Sequence, residues 1–314
     1  MTNRIHLRSL TGVLVSTILL GSALVAGAQS GTGPEPAPSV RPLISQGSMN
    51  VYRRFAPEHR EKMLEYYGKV LELRSLSPIS LGGGAQMILF GVGTGQVKLA
   101  TGLKQGRQYD VGSVKGGTGI RVITLFFTDE SALTARFTAH GYPAPQFRAG
   151  NHGTHVALVA DPGGFLTELV VVPNGPAGTA GKMEVGIAVS NIDKSRAFYS
   201  EFVGLDALPA VQDPVLGVTK YPYRHGETTI NLWAVGTGLP ADTGSAGIQY
   251  VVSDVDTVDA RAKARSVAVE EPLSNMGGFS LRTVWLNDPD GVTNYFAQVG
   301  VTGGGGRGRG NTTR

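Results

Sequence analysis

The apolar residues between positions 48 and 300 follow two spacings that alternate along the chain. Short apolar or alternating runs predict strands, and they are separated by stripes at helical spacing. In the second half, residues 184–189 predict a strand and residues 192–203 predict an amphipathic helix that ends at Gly204. Further strands are predicted over 217–224, 228–235, 247–253, 267–271, 280–286 and 292–299, and a further helix over 255–266. We therefore predict two β-α-β-β-β units in this half.

The first half repeats this order with an offset of 132 residues, at which Tyr66-Tyr67 coincides with Phe198-Tyr199. Its strands are predicted over 49–55, 86–90, 96–100, 120–127, 154–159 and 166–172, and its helices over 58–73 and 130–140. Each half also ends in a similar turn, DPGG at 161–164 and DPDG at 288–291. Asp and Pro begin such turns, and Gly accepts the positive φ that completes them.

Four βαβββ units in two pairs account for this internal repeat. The Gly/Pro-rich stretch 173–181 separates the two pairs. We therefore predict an α+β protein with one domain over 48–173, a linker over 174–181 and a second domain over 182–300.

The two ends of the chain have a different character. Residues 1–28 combine a basic start, an apolar stretch and the small-residue sequence Ala26-Gly27-Ala28, which predicts a signal peptide cleaved near Ala28 and an exported protein. An uncleaved membrane anchor is the alternative, but a span needs about 20 apolar residues, more than this stretch offers. Residues 29–47 form a Pro-rich linker, and the Gly/Arg-rich tail 301–314 is expected to be disordered.

Composition excludes several classes of protein. The chain of 314 residues contains no cysteine, which excludes disulfide scaffolds, zinc ribbons, iron–sulfur clusters and thiol catalysis. Its formal net charge of +4 comes from arginines in the two ends, so the folded part has no basic excess. We therefore expect neither a nucleic-acid partner nor, after signal cleavage, a membrane partner. The oligomeric state stays open.

Five segments carry a family resemblance. They are FFTDESALTARFTAHGY (126–142), VADPGGFLTEL (159–169), EVGIAVSNIDKSRAFYSEFVGL (184–205), GIQYVVSDVDTVDARAKA (247–264) and NDPDGVTNYF (287–296). With these segments the chain resembles the vicinal oxygen chelate superfamily, which includes glyoxalase I, bleomycin-resistance proteins and extradiol dioxygenases. The resemblance implies curved mixed sheets, each built from two βαβββ units around a cavity. In the enzymes of this family a divalent ion in the cavity binds two neighbouring oxygens of the substrate.

Most of the family's metal-ligand positions hold other residues in this chain. In the second half these positions are occupied by Glu184, Asn231, Gly247 and Tyr295, and in the first half by Tyr52, Lys98, Val122 and Glu168. Only Glu168 matches the family's carboxylate well, and Glu184 is a weaker match. Neither pair of units therefore supplies the ligands that a transition metal needs.

A mixed cavity is the alternative, because some family members build each cavity from units of different pairs. If the second and third units combine, Glu168, Glu184 and Asn231 converge, and His152 or His155 could add an imidazole. Such a set could bind a hard or borderline divalent cation. Glu168 and His155 are then the candidate catalytic residues, with Glu168 and Glu184 as metal ligands. The alternative role for His155 is a loop histidine that caps backbone groups.

Aromatic residues on the predicted strands of the third unit are candidate ligand-binding residues. Tyr221, Tyr223 and Trp233, together with Asn231, could line a groove for a small organic molecule by stacking and hydrogen bonding. Packing in the core of the sheet is the alternative for the three rings.

Two functions follow from these expectations. The first is an exported family member with a degenerate metal site, which needs no cofactor and binds a small organic molecule in a sheet-lined cavity. The second is a metal-dependent lyase, isomerase or dioxygenase of the glyoxalase type with a mixed-unit site. The sequence does not decide whether the protein is an enzyme.

Overall fold

The structure is a computed structural model that describes residues 38–82, 85–102, 112–242, 244, 246–277 and 279–300. The predicted signal peptide 1–28, the first part of the linker 29–47 and the predicted tail 301–314 lie outside these residues. The described residues belong to one compact unit, Ala37–Arg314. Among the described helices, none is both long and apolar enough to cross a lipid bilayer.

The strands follow the predicted order in both halves. Those of the first half are β1 (Asn50–Phe55), β2 (Arg74–Gly82), β3 (Ala85–Val92), β4 (Gly95–Thr101), β5 (Gly119–Phe127), β6 (Arg148–Ala149), β7 (His155–Ala160) and β8 (Leu166–Val171). Those of the second half are β9 (Met183–Val189), β10 (Asp206–Ala207), β11 (Val211–Asp213), β12 (Val218–His225), β13 (Thr228–Ala234), β14 (Ala246–Val251), β15 (Val269–Asn275), β16 (Leu281–Asn287) and β17 (Thr293–Val299).

Each unit also contains its predicted helix. The helices are α1 (Arg60–Glu65), α2 (Glu130–Ala139), α3 (Ile192–Ala197) and α4 (Val255–Ala264), and α1 and α3 continue as π-helical turns over Tyr66–Val70 and Phe198–Val203. Short 3₁₀ turns occur at Arg41–Leu43, Pro57–His59, Asn151–Gly153 and Thr179–Gly181. Helices α2, α3 and α4 begin after Asp129, Asn191 and Asp254, whose side chains accept a hydrogen bond from a backbone N–H of the first turn. These caps satisfy donors that the helix itself leaves unpaired.

The strands form two mixed sheets, and each sheet takes one unit from each half of the sequence. The first has the order β15-β16-β17-β14-β1-β4-β3-β2, and the second has the order β10-β12-β13-β9-β5-β8-β7-β6, with β11 paired to β12. The units meet where β1 runs antiparallel to β14 and where β5 runs antiparallel to β9. The predicted α+β fold with four units in two curved mixed sheets is confirmed. The sheets pair the first unit with the fourth and the second with the third, which is the mixed arrangement, so they cut across the predicted division into 48–173 and 182–300.

Strand β2 was not predicted from the sequence. Its sequence RSLSPISLG contains Pro78, which cannot donate a hydrogen bond to a neighbouring strand. The structure accommodates this proline because β2 is an edge strand and its pairing with β3 is irregular between Leu76 and Ile79. Proline is tolerated in such edge and bulge positions. The short edge strands β6, β10 and β11 were also missed.

The two predicted DP turns connect the sheets to the helices. The Tyr67 hydroxyl donates to Asp161 Oδ2 at 2.9 Å, and the Tyr199 hydroxyl donates to Asp288 Oδ2 at 3.1 Å. Asp161 also forms a buried ion pair of 2.6 Å with Arg53 of β1. The 132-residue repeat therefore reappears as a pair of buried Tyr–Asp hydrogen bonds. These contacts link units that lie in different sheets.

Candidate functional site

A cavity of about 490 Å³ opens on one face of the second sheet. Carboxylate, amide and ammonium groups from Glu168, Glu184, Asn231, Lys220 and Asp213 contribute to its lining. Much of the remaining wall is apolar and comes from Phe126, Val156, Val170, Leu208, Val211 and Pro222. The cavity therefore combines a charged floor with an apolar wall, as small-molecule sites commonly do.

Strand register brings the polar side chains together. Thr124 of β5 lies opposite Glu168 of β8 on one side and opposite Glu184 of β9 on the other. Asn231 of β13 is paired with Gly186 of β9, two residues beyond Glu184, so both side chains point to the same face of the sheet. The site is thus assembled across the junction between the second and third units.

Glu168 and Lys220 form the buried centre of the site. The Thr124 hydroxyl donates to Glu168 Oε2 at 2.6 Å, and Lys220 Nζ donates to the same oxygen at 3.1 Å. Lys220 Nζ also lies 2.6 Å from Asp213 Oδ2. Glu168 is only 1% exposed and Lys220 is 8% exposed, so both charges depend on their partners rather than on water.

Glu184 is held by a separate contact. Asn231 Nδ2 donates to Glu184 Oε2 at 2.6 Å. Glu184 is half-buried and lines the floor of the cavity. The Asn231 amide therefore fixes one of its oxygens while the side chain remains part of the cavity surface.

Burial and neighbouring charges shift the pKa values of these groups in opposite directions. Burial raises the pKa of Glu168 and of Glu184 above the usual range, although Lys220 opposes both shifts. Burial alone would lower the pKa of Lys220, but Glu168, Glu184 and Asp213 together raise it. Lys220 therefore remains protonated at neutral pH, and its ammonium compensates part of the negative charge of three carboxyl groups.

Asp213 is the carboxyl group of the site that ionises most readily. Its burial opposes ionisation, but Lys220 and the backbone N–H groups of Leu216 and Val215 lower its pKa below the usual value. Those N–H groups donate to Asp213 Oδ1 at 2.8 and 2.9 Å. The Asp213–Lys220 ion pair is thus the fixed part of the cluster, and a proton is more readily held on Glu168 or Glu184.

The residues present do not fit a resident divalent metal. No group of three or more His, Asp or Glu side chains within the described residues has the arrangement of a metal site. The oxygens of Glu168 that would face a metal already accept hydrogen bonds from Thr124 and Lys220. The protonated Lys220 ammonium already lies between Glu168 and Asp213, so it holds the oxygens that a metal would need. No step of the chemistry is therefore assigned to a metal.

The structure separates the two histidines singled out from the sequence. His152 lines the cavity, in a loop where its φ is +54°. His155 is exposed on β7 and lies outside this cavity, and its Nδ1 is 2.5 Å from Glu130 Oε2 of α2. Of the two predicted catalytic residues, only Glu168 lies in the carboxylate cluster of the cavity. The catalytic roles themselves stay predictions, because the positions of the side chains do not test them.

The three predicted ligand-binding aromatics do not line this cavity. Trp233 is buried against Val122 and donates its indole N–H to the carbonyl of Val114 at 3.0 Å. Tyr223 packs in the main core, and its hydroxyl accepts a hydrogen bond from Arg196. Tyr221 and Trp233 line a different surface depression. Of the predicted ligand-binding set, only Asn231 lies in the cavity.

Sequence reasoning missed Lys220, Asp213 and Thr124. A signal for Asp213 was present, because DPVLG at 213–217 is a third turn that begins with Asp-Pro. A signal for Lys220 was also present, since it alternates with Val218 and Pro222 on one face of a strand. Thr124 carried no signal of its own, because its role depends on the pairing of β5 with β8 and β9.

Comparison with known proteins agrees with the observed fold. Residues 183–296 match the family model described as Glyoxalase/Bleomycin resistance protein/Dioxygenase superfamily. The predicted family resemblance is confirmed. No curated protein matches the sequence.

Solved structures also share the fold over most of both chains. Glyoxalase I from Zea mays superposes with a TM-score of 0.62 at 19% identity, covering 81% of this chain and 92% of that chain. The "putative dioxygenase from Bacillus subtilis subsp. subtilis str. 168" superposes with a TM-score of 0.57 at 16% identity, covering 81% and 86%. At these identities the likeness concerns the fold, and the function has to be argued from the site.

Proposed function

We propose that this glyoxalase-superfamily protein is an exported binding protein that takes a small organic molecule in the Glu168 cavity without a metal. The observation that carries the proposal is the Lys220 ammonium, which lies 3.1 Å from Glu168 and 2.6 Å from Asp213. A covalently attached cation thus occupies the centre of the carboxylate cluster, where a metal-dependent family member would need free ligands.

The lining indicates the chemistry of the ligand. Three carboxyl groups face one ammonium, so the floor of the cavity offers an excess of hydrogen-bond acceptors and negative potential. The apolar wall formed by residues such as Phe126 and Val170 favours a hydrophobic body. A small, mainly apolar molecule with an amine or hydroxyl group satisfies both features.

A matched series of probes tests this assignment. Benzylamine, benzyl alcohol and benzoate share one apolar ring and differ in charge, and their binding to the mature chain can be measured by calorimetry and ligand-observed NMR. We expect benzylamine and benzyl alcohol to bind more tightly than benzoate. We also expect Glu168→Gln, a variant of nearly equal shape, to weaken benzylamine at least fivefold. Preferential binding of benzoate, or binding of none of the three, would overturn the proposal.

A metal-dependent enzyme of the glyoxalase type is the second candidate function. The observation in its favour is that Glu168, Glu184 and Asn231 line one cavity, as the mixed-unit site requires. Elemental analysis of protein purified without chelator separates the two candidates. A folded protein with well below one divalent ion per chain supports the binding protein, and a stoichiometric ion supports the enzyme.

Export is the remaining part of the proposal, and it rests on the sequence of residues 1–28. Expression of the full chain in a bacterial host, followed by N-terminal sequencing of the extracytoplasmic product, tests it. A mature N-terminus near Gln29 is expected, whereas retention of the intact chain in the cytoplasm contradicts export.

A further inference from the structure

A second cavity, of about 90 Å³, lies on the first sheet, away from the Glu168 cluster. Strands β1 and β4 of the first unit and β14, β16 and β17 of the fourth unit contribute to it. Its lining includes Tyr52, Lys98, Gln249, Trp285 and Tyr295. It therefore occupies, in the first sheet, the junction that corresponds to the Glu168 cavity in the second sheet.

Three aromatic rings form one wall of this second cavity. Trp285 stacks on Tyr295 with ring centroids 4.9 Å apart and an interplanar angle of 22°. The ring of Tyr52 is tilted against Tyr295 at 5.5 Å. Gly247 makes room for this ring, because a Cβ at that position would lie 2.3 Å from Tyr52 Cε1. The sequence thus places aromatic surface at positions where the family has metal ligands.

The charged side chains that line the second cavity are cationic. Lys98 is 8% exposed, and its Nζ donates to Gln249 Oε1, which also accepts from Asn50 Nδ2 at 2.9 Å. The side chain of Arg54 lines the cavity as well. None of the described residues that line this cavity is acidic.

Lys98 and Lys220 differ in how their charge is compensated. Lys220 has carboxylates at 2.6 and 3.1 Å, whereas the hydrogen-bond partner of Lys98 among the described residues is the neutral amide of Gln249. Burial accordingly lowers the pKa of Lys98 to about 8. Among the described residues no carboxylate pairs with this buried ammonium. A buried ammonium without a counter-ion is costly, and an anionic ligand would supply the opposite charge.

We propose that this second cavity binds a small apolar monocarboxylate, with the carboxylate on Lys98 and the hydrocarbon part against Tyr52, Trp285 and Tyr295. The size of the cavity limits the hydrocarbon part. A cavity of about 150 Å³ holds benzene, so about 90 Å³ suits a branched or unsaturated chain of three to five carbons better than a phenyl ring.

Isobutyrate and its neutral isostere isobutyramide test the proposal on the unmodified protein. Trp285 lines the cavity and is one of two tryptophans in the chain, so binding can be followed by tryptophan fluorescence and by calorimetry. We expect isobutyrate to bind at least tenfold more tightly than isobutyramide, since a charge-assisted hydrogen bond to Lys98 is lost with the amide. Equal binding of the two molecules, or no binding of isobutyrate, overturns the proposal. This experiment uses the unmodified protein, so its result does not depend on whether a variant folds.

Two variants locate the binding. Lys98→Met keeps a long unbranched side chain and removes its charge, so we expect it to weaken isobutyrate at least tenfold and leave isobutyramide unchanged. Glu168→Gln, in the other cavity, should leave isobutyrate binding unchanged. Isobutyrate binding that survives in Lys98→Met, or that falls in Glu168→Gln, overturns the assignment to this cavity. Because the two proposals concern different cavities and ligands of opposite charge, either can fail without the other.

Discussion

At the scale of single residues, the character of the Glu168 site is set by one side chain. Glu168, Glu184 and Asn231 bring side-chain oxygens to one cavity, and oxygen ligands suit hard divalent cations. Lys220 changes the result, because its ammonium takes up the hydrogen-bonding capacity of Glu168 that a divalent cation would need. A lysine on a neighbouring strand can thus occupy the centre of a carboxylate cluster.

Replacing this lysine is expected to create a cation site. In Lys220→Met the oxygens of Glu168 lose their ammonium partner, so we expect the variant to bind Mn²⁺ at least tenfold more tightly than the original chain. The measurement is a titration of free Mn²⁺ by electron paramagnetic resonance. Lys220→Met/Glu168→Gln is the control, and it should lose the gained affinity. Mn²⁺ binding of equal strength in the unchanged chain would contradict the role given to Lys220.

Asp288 is expected to make stability depend on pH. Burial raises its pKa to about 7 from an ordinary value of 3.8, so the folded chain holds this proton more strongly than the unfolded chain. Stability is then highest when both states are protonated and falls as pH rises from about 4 to about 7. In Asp288→Asn this loss should become smaller, the remainder coming from Glu168 and Glu184, whose pKa values burial also raises. Urea unfolding at pH 5 and pH 7.5 measures the difference. An unchanged pH dependence would rule out Asp288 as the group responsible.

At the scale of elements, two glycines on the opening strands decide what packs beside them. A Cβ on Gly186 of β9 would lie 2.4 Å from Val122 Cγ1 and 2.5 Å from the ring of Trp233. Gly247 of β14 has the same relation to Tyr52. These strands can therefore accept large aromatic neighbours because they present no side chain at the contact.

Gly186→Ala should disturb this packing. We expect it to destabilise the protein by about 1–3 kcal/mol, the usual cost of overpacking a core, and to change the fluorescence of Trp233. Gly277→Ala is the matched control, since a Cβ there has no atom within 4 Å, and its stability should change by less than about 0.5 kcal/mol. Chemical denaturation measures both. Similar small losses of stability in the two variants would contradict this prediction, because they would show that Val122 and Trp233 can shift to accommodate a Cβ at Gly186.

At the scale of the whole molecule, the mixed pairing makes each half of the sequence incomplete. The first half supplies β1–β4 to one sheet and β5–β8 to the other, and the second half completes both. The buried ion pair between Arg53 and Asp161 and the hydrogen bond between Tyr67 and Asp161 also connect the two sheets within the first half. Cooperative folding should therefore require both halves.

Separate expression of the halves tests this expectation. We expect residues 38–178 and residues 179–300, produced alone, to lack a cooperative unfolding transition, because each would expose the central strands of two sheets. Produced together, the two fragments should copurify and unfold cooperatively, as circular dichroism and size-exclusion chromatography can show. A monomeric, cooperatively folded half on its own would contradict the interdependence of the units.

The sequence by itself determined the elements and their order. Apolar periodicity placed the main strands and helices, and the 132-residue repeat indicated four units. These features are local, since a strand or helix is encoded by which neighbouring positions are apolar. Strand β2 was the main exception, because Pro78 removes the local signal of a strand and only its place at the edge of a sheet makes the proline acceptable.

Only the tertiary structure decided which units share a sheet, and with that the composition of both cavities. The sequence left open whether Glu168 meets Glu184, since strand pairing joins residues far apart in the chain and depends on how the whole core packs. The pairing of β5 with β9 brought these residues to one cavity, and the neighbouring β12 added Lys220 to it. Likewise, Lys98 of β4 meets Gln249 of β14 because β14 pairs with β1, the neighbour of β4. The chemistry of each site is thus a property of non-local register, which local periodicity does not encode.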